Sequence, residues 1–135
     1  MGYDCEIVNR ETGEVALSST PMKITGSNLR VDGEHLKETG EWIHLAQNEL
    51  TVDITSNYFG WFKEALGGEG IKSLDGMDAR HSVHWLADGI CKLKGAGEPD
   101  VDYWASTPGN ARAALRTLFD MATNAPSGTI WRVSN

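Results

Sequence analysis

The sequence predicts an α+β fold: a mostly antiparallel sheet from the N-terminal half packed against three helices, with a short C-terminal strand. Three observations carry this expectation. Short runs of alternating apolar and polar residues fill the first 55 positions, apolar residues recur at helical spacing from Ser56 to Thr123, and Thr129-Ile130-Trp131-Arg132-Val133 returns to strand character. At 135 residues and 40% hydrophobic side chains the chain suits one core, so residues 1–135 are read as a single domain with a β-rich half, 1–55, and a helical half, 56–135.

Asp4-Cys5-Glu6-Ile7-Val8-Asn9 and Val15-Ala16-Leu17-Ser18 are extended runs around a turn whose Gly13 suits a positive φ, which predicts a β-hairpin. Met22–Thr25 and Asn28–Val31 read as further short strands, punctuated by Gly26-Ser27 and Asp32-Gly33. Trp42–Leu45 and Leu50–Thr55 complete the β-rich half, with Leu50, Val52 and Ile54 on one face.

Tyr58, Phe59, Phe62, Ala65 and Leu66 then mark a short helix that stops at Gly67-Gly68. Gly68-Glu69-Gly70-Ile71-Lys72-Ser73 resembles a phosphate loop only superficially, because it lacks the adjacent Gly-Lys and the preceding strand; it reads as a connector. Asp78 caps a second helix with the apolar stripe Val83, Leu86, Ala87, Ile90 and Leu93. A loop from Gly95 to Asp102 with three acids leads to Thr107, which caps a third helix with Pro108 at its first position and Ala111, Ala114, Leu115, Leu118, Phe119 and Ala122 on one face. Asn124–Gly128 ends it.

The net charge of −7 is uneven: residues 1–50 hold 9 acids and 4 bases, 51–108 hold 9 and 5, and 109–135 hold 1 and 3. Such acidity disfavours non-specific binding to nucleic acid or to an anionic membrane, which needs clustered Lys and Arg. An acidic face suits a basic protein, and a local anion site survives in the basic tail. No apolar run approaches 18 residues and no charged-then-apolar leader follows Met1, so a soluble cytoplasmic protein without a membrane span is expected. Five Trp residues, each bulky and carrying an N–H that needs a partner, argue that some of them sit half-buried at a groove or interface.

Catalytic patterns are weak. His81 and His84 stand three apart without the i, i+4 pair or third ligand of a zinc helix, so no metal and no cofactor is expected, and both are read as structural or solvent-facing. Cys5 and Cys91 form no metal or redox spacing, and Cys91, beside the stripe residue Ile90, reads as a buried small thiol. No Gly-x-Ser-x-Gly elbow occurs, and carboxylate pairs such as Asp100 with Asp102, or Glu38 with Glu41, read as solvated surface.

The remaining constellation is a ligand site at the start of the third helix. After the Thr107 cap, the N–H groups of Gly109, Asn110 and Ala111 lack intrahelical acceptors and would hold an anion. Asn110 supplies hydrogen bonds, Arg112 or Arg116 charge, and Tyr58, Trp61, Tyr103 or Trp104 a ring to stack on, a set suited to a nucleotide. Asn110 and Arg112 are expected to be exposed in the first turns. The plainer alternative is a cap that only starts a helix, with Tyr103 and Trp104 packed beneath it.

Several of these segments together are similar to a group of small phage and prophage accessory proteins of unassigned function. The segments are Tyr3-Asp4-Cys5-Glu6-Ile7-Val8 with Glu11-Thr12-Gly13-Glu14, Asn57-Tyr58-Phe59 with Gly70–Met77, and Asp102-Tyr103-Trp104-x-x-Thr107-x-Gly109-Asn110-Ala111 with Ala114-Leu115 and Pro126-x-Gly128. The resemblance spans residue 3 to about 131, and the chain departs from it over 20–50, where it is longer and more polar. It carries no catalytic residues across. It implies an accessory protein in the host bacterial cytoplasm, acting in counter-defence by blocking a host immune protein or sequestering a nucleotide signal without catalysis; a small enzyme acting on a nucleotide or other phosphorylated compound is the alternative. A homo-oligomer is compatible with either.

Overall fold

A computed structural model describes residues 2–26, 30–31, 34–35 and 42–135. Strand β1 (Gly2–Asn9) is the centre of the larger sheet, flanked by β6 (Thr51–Thr55) on one side and β7 (Thr129–Ser134) on the other, all antiparallel. Alternation in β1 puts Tyr3, Cys5 and Ile7 inward, and the register sets Cys5 between Val52 and Val133 and Ile7 opposite Trp131. On the outer face Glu6 pairs across the strands with Arg132 at 3.4 Å.

The expected hairpin forms only at its turn. Asn9 Oδ1 accepts from the Glu11 and Thr12 N–H groups, and Gly13 takes φ +75°, but β1 meets the returning chain at a single bridge, Val8 to Val15. The edge that the second strand would occupy is already held by β6 from Gly2 to Glu6. The chain therefore leaves, and β2 (Leu17–Gly26) pairs with β5 (Ile43–Glu49) instead. Residues 22–25 belong to this longer strand. Its register shifts between Leu17 and Met22, where Pro21 has no N–H to give. The pairs β3 (Arg30–Val31) and β4 (Glu34–His35) form a small antiparallel ladder. Ser27, Asn28, Leu29, the Asp32-Gly33 turn, Glu38 and Glu41 lie outside the described residues.

A 3-10 turn at Ser56–Tyr58 leads into α1 (Phe59–Leu66), which buries Phe62, Ala65 and Leu66 and ends at Gly67 with φ +73°. The expected connector is a 3-10 segment, Gly70–Leu74, and Gly70 takes φ +64° with its α-carbon tucked against Phe62. Helix α2 runs from Ser82 to Lys92, so Asp78 caps the turn before it and not the helix itself: Asp78 Oδ1 accepts from the Arg80 and His81 N–H groups. Its buried line is Ser82, Leu86, Gly89 and Leu93, while Val83, Ala87 and Ile90 are half-buried. The reason is Gly89, whose missing Cβ would lie 2.5 Å from Leu66 Cδ2 and which therefore lets α1 come close. That rotation leaves Cys91 exposed, which corrects the expectation of a buried thiol.

Helix α3 (Pro108–Thr123) starts as predicted, with Thr107 Oγ1 accepting from the Asn110 N–H, and buries Ala111, Ala114, Leu115, Leu118, Met121 and Ala122. The inner sheet face and the three helices share one core cluster, which includes Trp131 at 0% exposure. The Trp131 indole N–H donates to Ser82 Oγ at 2.8 Å, and Ser82 Oγ donates in turn to the Ala79 carbonyl. The outer edge of β7 is covered by 75–79: the Trp131 N–H donates to the Met77 carbonyl and the Ala79 N–H to the Thr129 carbonyl. The fold is α+β, and no described helix is long and apolar enough to cross a membrane.

Candidate functional site

Residues 95–106 have no regular structure, yet their backbone is held by side chains from three separate parts of the chain, Trp42, Asn57 and Asn110. Asn110 is the main support. Its Oδ1 accepts from the Asp100 N–H at 2.7 Å, and its Nδ2 donates to the carbonyls of Asp102 at 3.0 Å and Ala105 at 2.8 Å, with a longer contact to Tyr103 at 3.4 Å. Trp42 Nε1 donates to the Asp100 carbonyl at 2.7 Å, and Asn57 Nδ2 to the Trp104 carbonyl at 2.9 Å. Asp100 and Asp102 add internal turns by accepting from the Asp102 and Trp104 N–H groups.

Asn110 is fully buried, which corrects the expectation of an exposed first-turn asparagine. Two of the three N–H groups expected to be open are engaged: Asn110 donates to Thr107 Oγ1 and Ala111 to the Thr107 carbonyl. Gly109 lies under the loop, where a Cβ would meet the Glu98 carbonyl oxygen at 2.5 Å. The helix start is thus covered by a carbonyl and bordered by Glu98, Asp100 and Asp102, a poor setting for an anion.

Beneath the loop lies an aromatic cluster. Tyr103 packs edge-on against Trp42 at 4.9 Å, Trp104 at 5.2 Å and Tyr58 at 5.7 Å. The Tyr58 hydroxyl donates to the Tyr103 carbonyl, and the Tyr103 hydroxyl accepts from the Thr55 N–H. Tyr58 and Tyr103 are buried, whereas Trp42 and Trp104 are half-exposed.

Of the nine residues read as a site, Tyr58, Tyr103, Trp104, Thr107, Gly109 and Asn110 are therefore together. Trp61 is half-buried on α1 and is not among the cluster's ring contacts given above; Arg116 is exposed beside Asp120; Arg112 is half-buried, and its Nε has no hydrogen-bond partner among the described residues. The residues missed are Trp42, signalled only by its being one of five Trp; Asn57, whose reach to a distant carbonyl has no local signal; and Val101, whose place between two aspartates is visible in the sequence. His81 and His84 are both exposed, and no group of three His, Cys, Asp or Glu residues that could hold a metal occurs among the described residues. A separate open depression of about 420 Å³, lined by Asn9, Arg10, Glu11, Asp78, Ser127 and Gly128, lies at the β1 turn; there Arg10 and Asp78 neutralise each other at 3.1 Å.

Burial, with the neighbouring Tyr103 adding to it, pushes the Tyr58 phenol well above its ordinary range. A raised pKa means that the stability is fully present below the unfolded-state value of about 10 and falls as pH rises beyond it, because the unfolded chain ionises first. Urea midpoints measured from about pH 8 to about pH 11 should fall less steeply for Tyr58→Phe than for the parent chain. Equal slopes would show that Tyr58 does not contribute.

No family model, no curated protein and no solved structure matches the chain.

Proposed function

We propose that this chain is a phage-encoded counter-defence protein that binds and blocks a host bacterial protein without catalysis, through the surface formed by residues 97–106 with Trp42. The observation that carries the reading is the fixed loop. Irregular backbone held at Asp100, Asp102, Trp104 and Ala105 by the side chains of buried Asn110, half-buried Trp42 and exposed Asn57 loses little further freedom on binding, so contact energy is not spent on ordering it. The surface combines half-exposed Trp42 and Trp104 with the carboxylates of Glu98, Asp100 and Asp102. Exposed aromatic rings beside acids suit a protein partner with a basic surface.

The sequestration branch is less favoured by this geometry. A nucleotide phosphate at the start of α3 would meet the Glu98 carbonyl beside a loop with three acids, and the Asn110 amide is already committed to that loop.

The test is capture from an infected host by the tagged chain and by Trp104→Ala, with mass spectrometry of retained proteins and of compounds released by heat. Support requires one host protein that binds the parent chain after purification of both, loses its activity on binding, and is not retained by Trp104→Ala. Release of a nucleotide in place of a protein, or retention of no host protein, overturns the reading.

A further inference from the structure

We infer that Val101 is the residue that enters the partner, and that the partner offers a small apolar pocket rimmed by Lys or Arg side chains facing Asp100 and Asp102. This rests on the blocking reading above and gives it a chemical address. Among the exposed large apolar side chains described, Leu17 is 57% and Phe59 41% exposed, while Val101 stands at 91%. A bare valine is unremarkable on a free surface. Here both of its peptide neighbours are held: the N–H and the carbonyl of Asp100 by Asn110 and Trp42, and the carbonyl of Asp102 by Asn110.

The side chain adds little freedom of its own, because a β-branched residue is stiff at χ1. Its position relative to the fold is therefore set before any encounter, the condition under which a single inserted side chain yields most of its burial energy. The flanking carboxylates are oriented as well, since each accepts an N–H two residues along the loop.

Charge selects the class of partner. From Gly95 to Ala111 the chain has three acids and no Lys or Arg, within a protein of net charge −7. A nucleic acid or an anionic lipid surface would be repelled by this loop. A protein pocket with basic side chains at its rim is complementary both to the apolar tip and to its flanks.

The experiment uses the purified host protein identified by capture and measures its affinity and association rate for the full chain. Four variants are compared: Val101→Ala, Val101→Asp, Trp104→Ala and the double variant Asp100→Asn with Asp102→Asn, which keeps the loop hydrogen-bond acceptors and removes their charge. Val101 is bare, so the melting temperatures of its two variants should equal that of the parent. Val101→Ala should weaken binding about tenfold and Val101→Asp about a hundredfold. The double variant should slow association about threefold to tenfold and flatten its dependence on NaCl. If Val101→Asp binds within about twofold of the parent while Trp104→Ala does not bind, the pocket is refuted and the blocking reading stands. If the double variant keeps the parent's salt dependence, the basic rim is refuted. Retention of no host protein removes both ideas, and a change of self-association in Val101→Asp on sedimentation would identify a second copy as the occupant and overturn the inference.

Discussion

Asn110→Ala should cost about 3 to 4 kcal/mol, because it removes the acceptor for one part-buried N–H and the donors to two backbone carbonyls in a single truncation of a fully buried side chain. In a chain of this size that corresponds to a fall of about 10 °C in melting temperature. Amide exchange should accelerate across 97–106 before it does in the sheet, since the loop loses its support while the core cluster keeps its contacts. Asn110→Asp should not rescue the variant. The carboxylate retains an acceptor for Asp100 but has no N–H to give, and it would set negative charge against the carbonyls of Asp102 and Ala105. A loss below about 1 kcal/mol would mean that water replaces the side chain and that the loop is not held as described. The same result would weaken the case for a fixed binding surface, so this variant links the stability of the loop to its proposed use.

Trp131→Ala should be the most damaging single truncation, costing about 4 to 5 kcal/mol. The indole is fully buried against the inner face of the sheet, and its N–H is the donor that Ser82 Oγ accepts. Removing it opens a cavity between the sheet and α2 and also breaks the hydrogen-bond relay to Ala79. Typical stabilities are about 5 to 15 kcal/mol, so a large share of the total is at stake. Trp131→Phe separates the two contributions, because it keeps most of the volume and deletes the donor; it should cost about half as much. Denaturant unfolding of the two variants measures both. Equal losses would show that the hydrogen bond, and not the volume, matters at this position.

The helices were the most legible part of the fold. Thr107 and Pro108 start α3 in the sequence as in the structure, because an N-cap and its first turn are local chemistry. The strands were legible as strands but not as partners. The Gly13 turn is a sound local prediction, yet pairing is decided by which distant segments compete for the edges of β1, and nothing local reveals that β6 and β7 win. The stripe of α2 shows a similar limit. Hydrophobicity alone ranks Val83 and Ile90 above Ser82 and Gly89, but close approach of Leu66 rewards the smallest residue.

At the site, the ring residues Tyr58, Tyr103 and Trp104 could be named because aromatic bulk is visible in a sequence. The role of Asn110 could not, since a first-turn asparagine looks solvated until a loop folds back over it. One local hint was present: Gly109 is a poor helix former in the first turn, and such a residue marks a place where another backbone comes close.

The position of β1 carries a consequence for timing. Asp4 lies across the ladder from Ser134, so one edge of β1 has no partner until residues 129–134 have emerged from the ribosome. A nascent chain stopped short of residue 129 has an incomplete sheet and lacks the Trp131 indole that meets Ser82. Assembly from such distant contacts is slow compared with helix formation. The larger sheet is therefore closed only by a contact between segments about 125 residues apart, so its central strand waits on a distant partner.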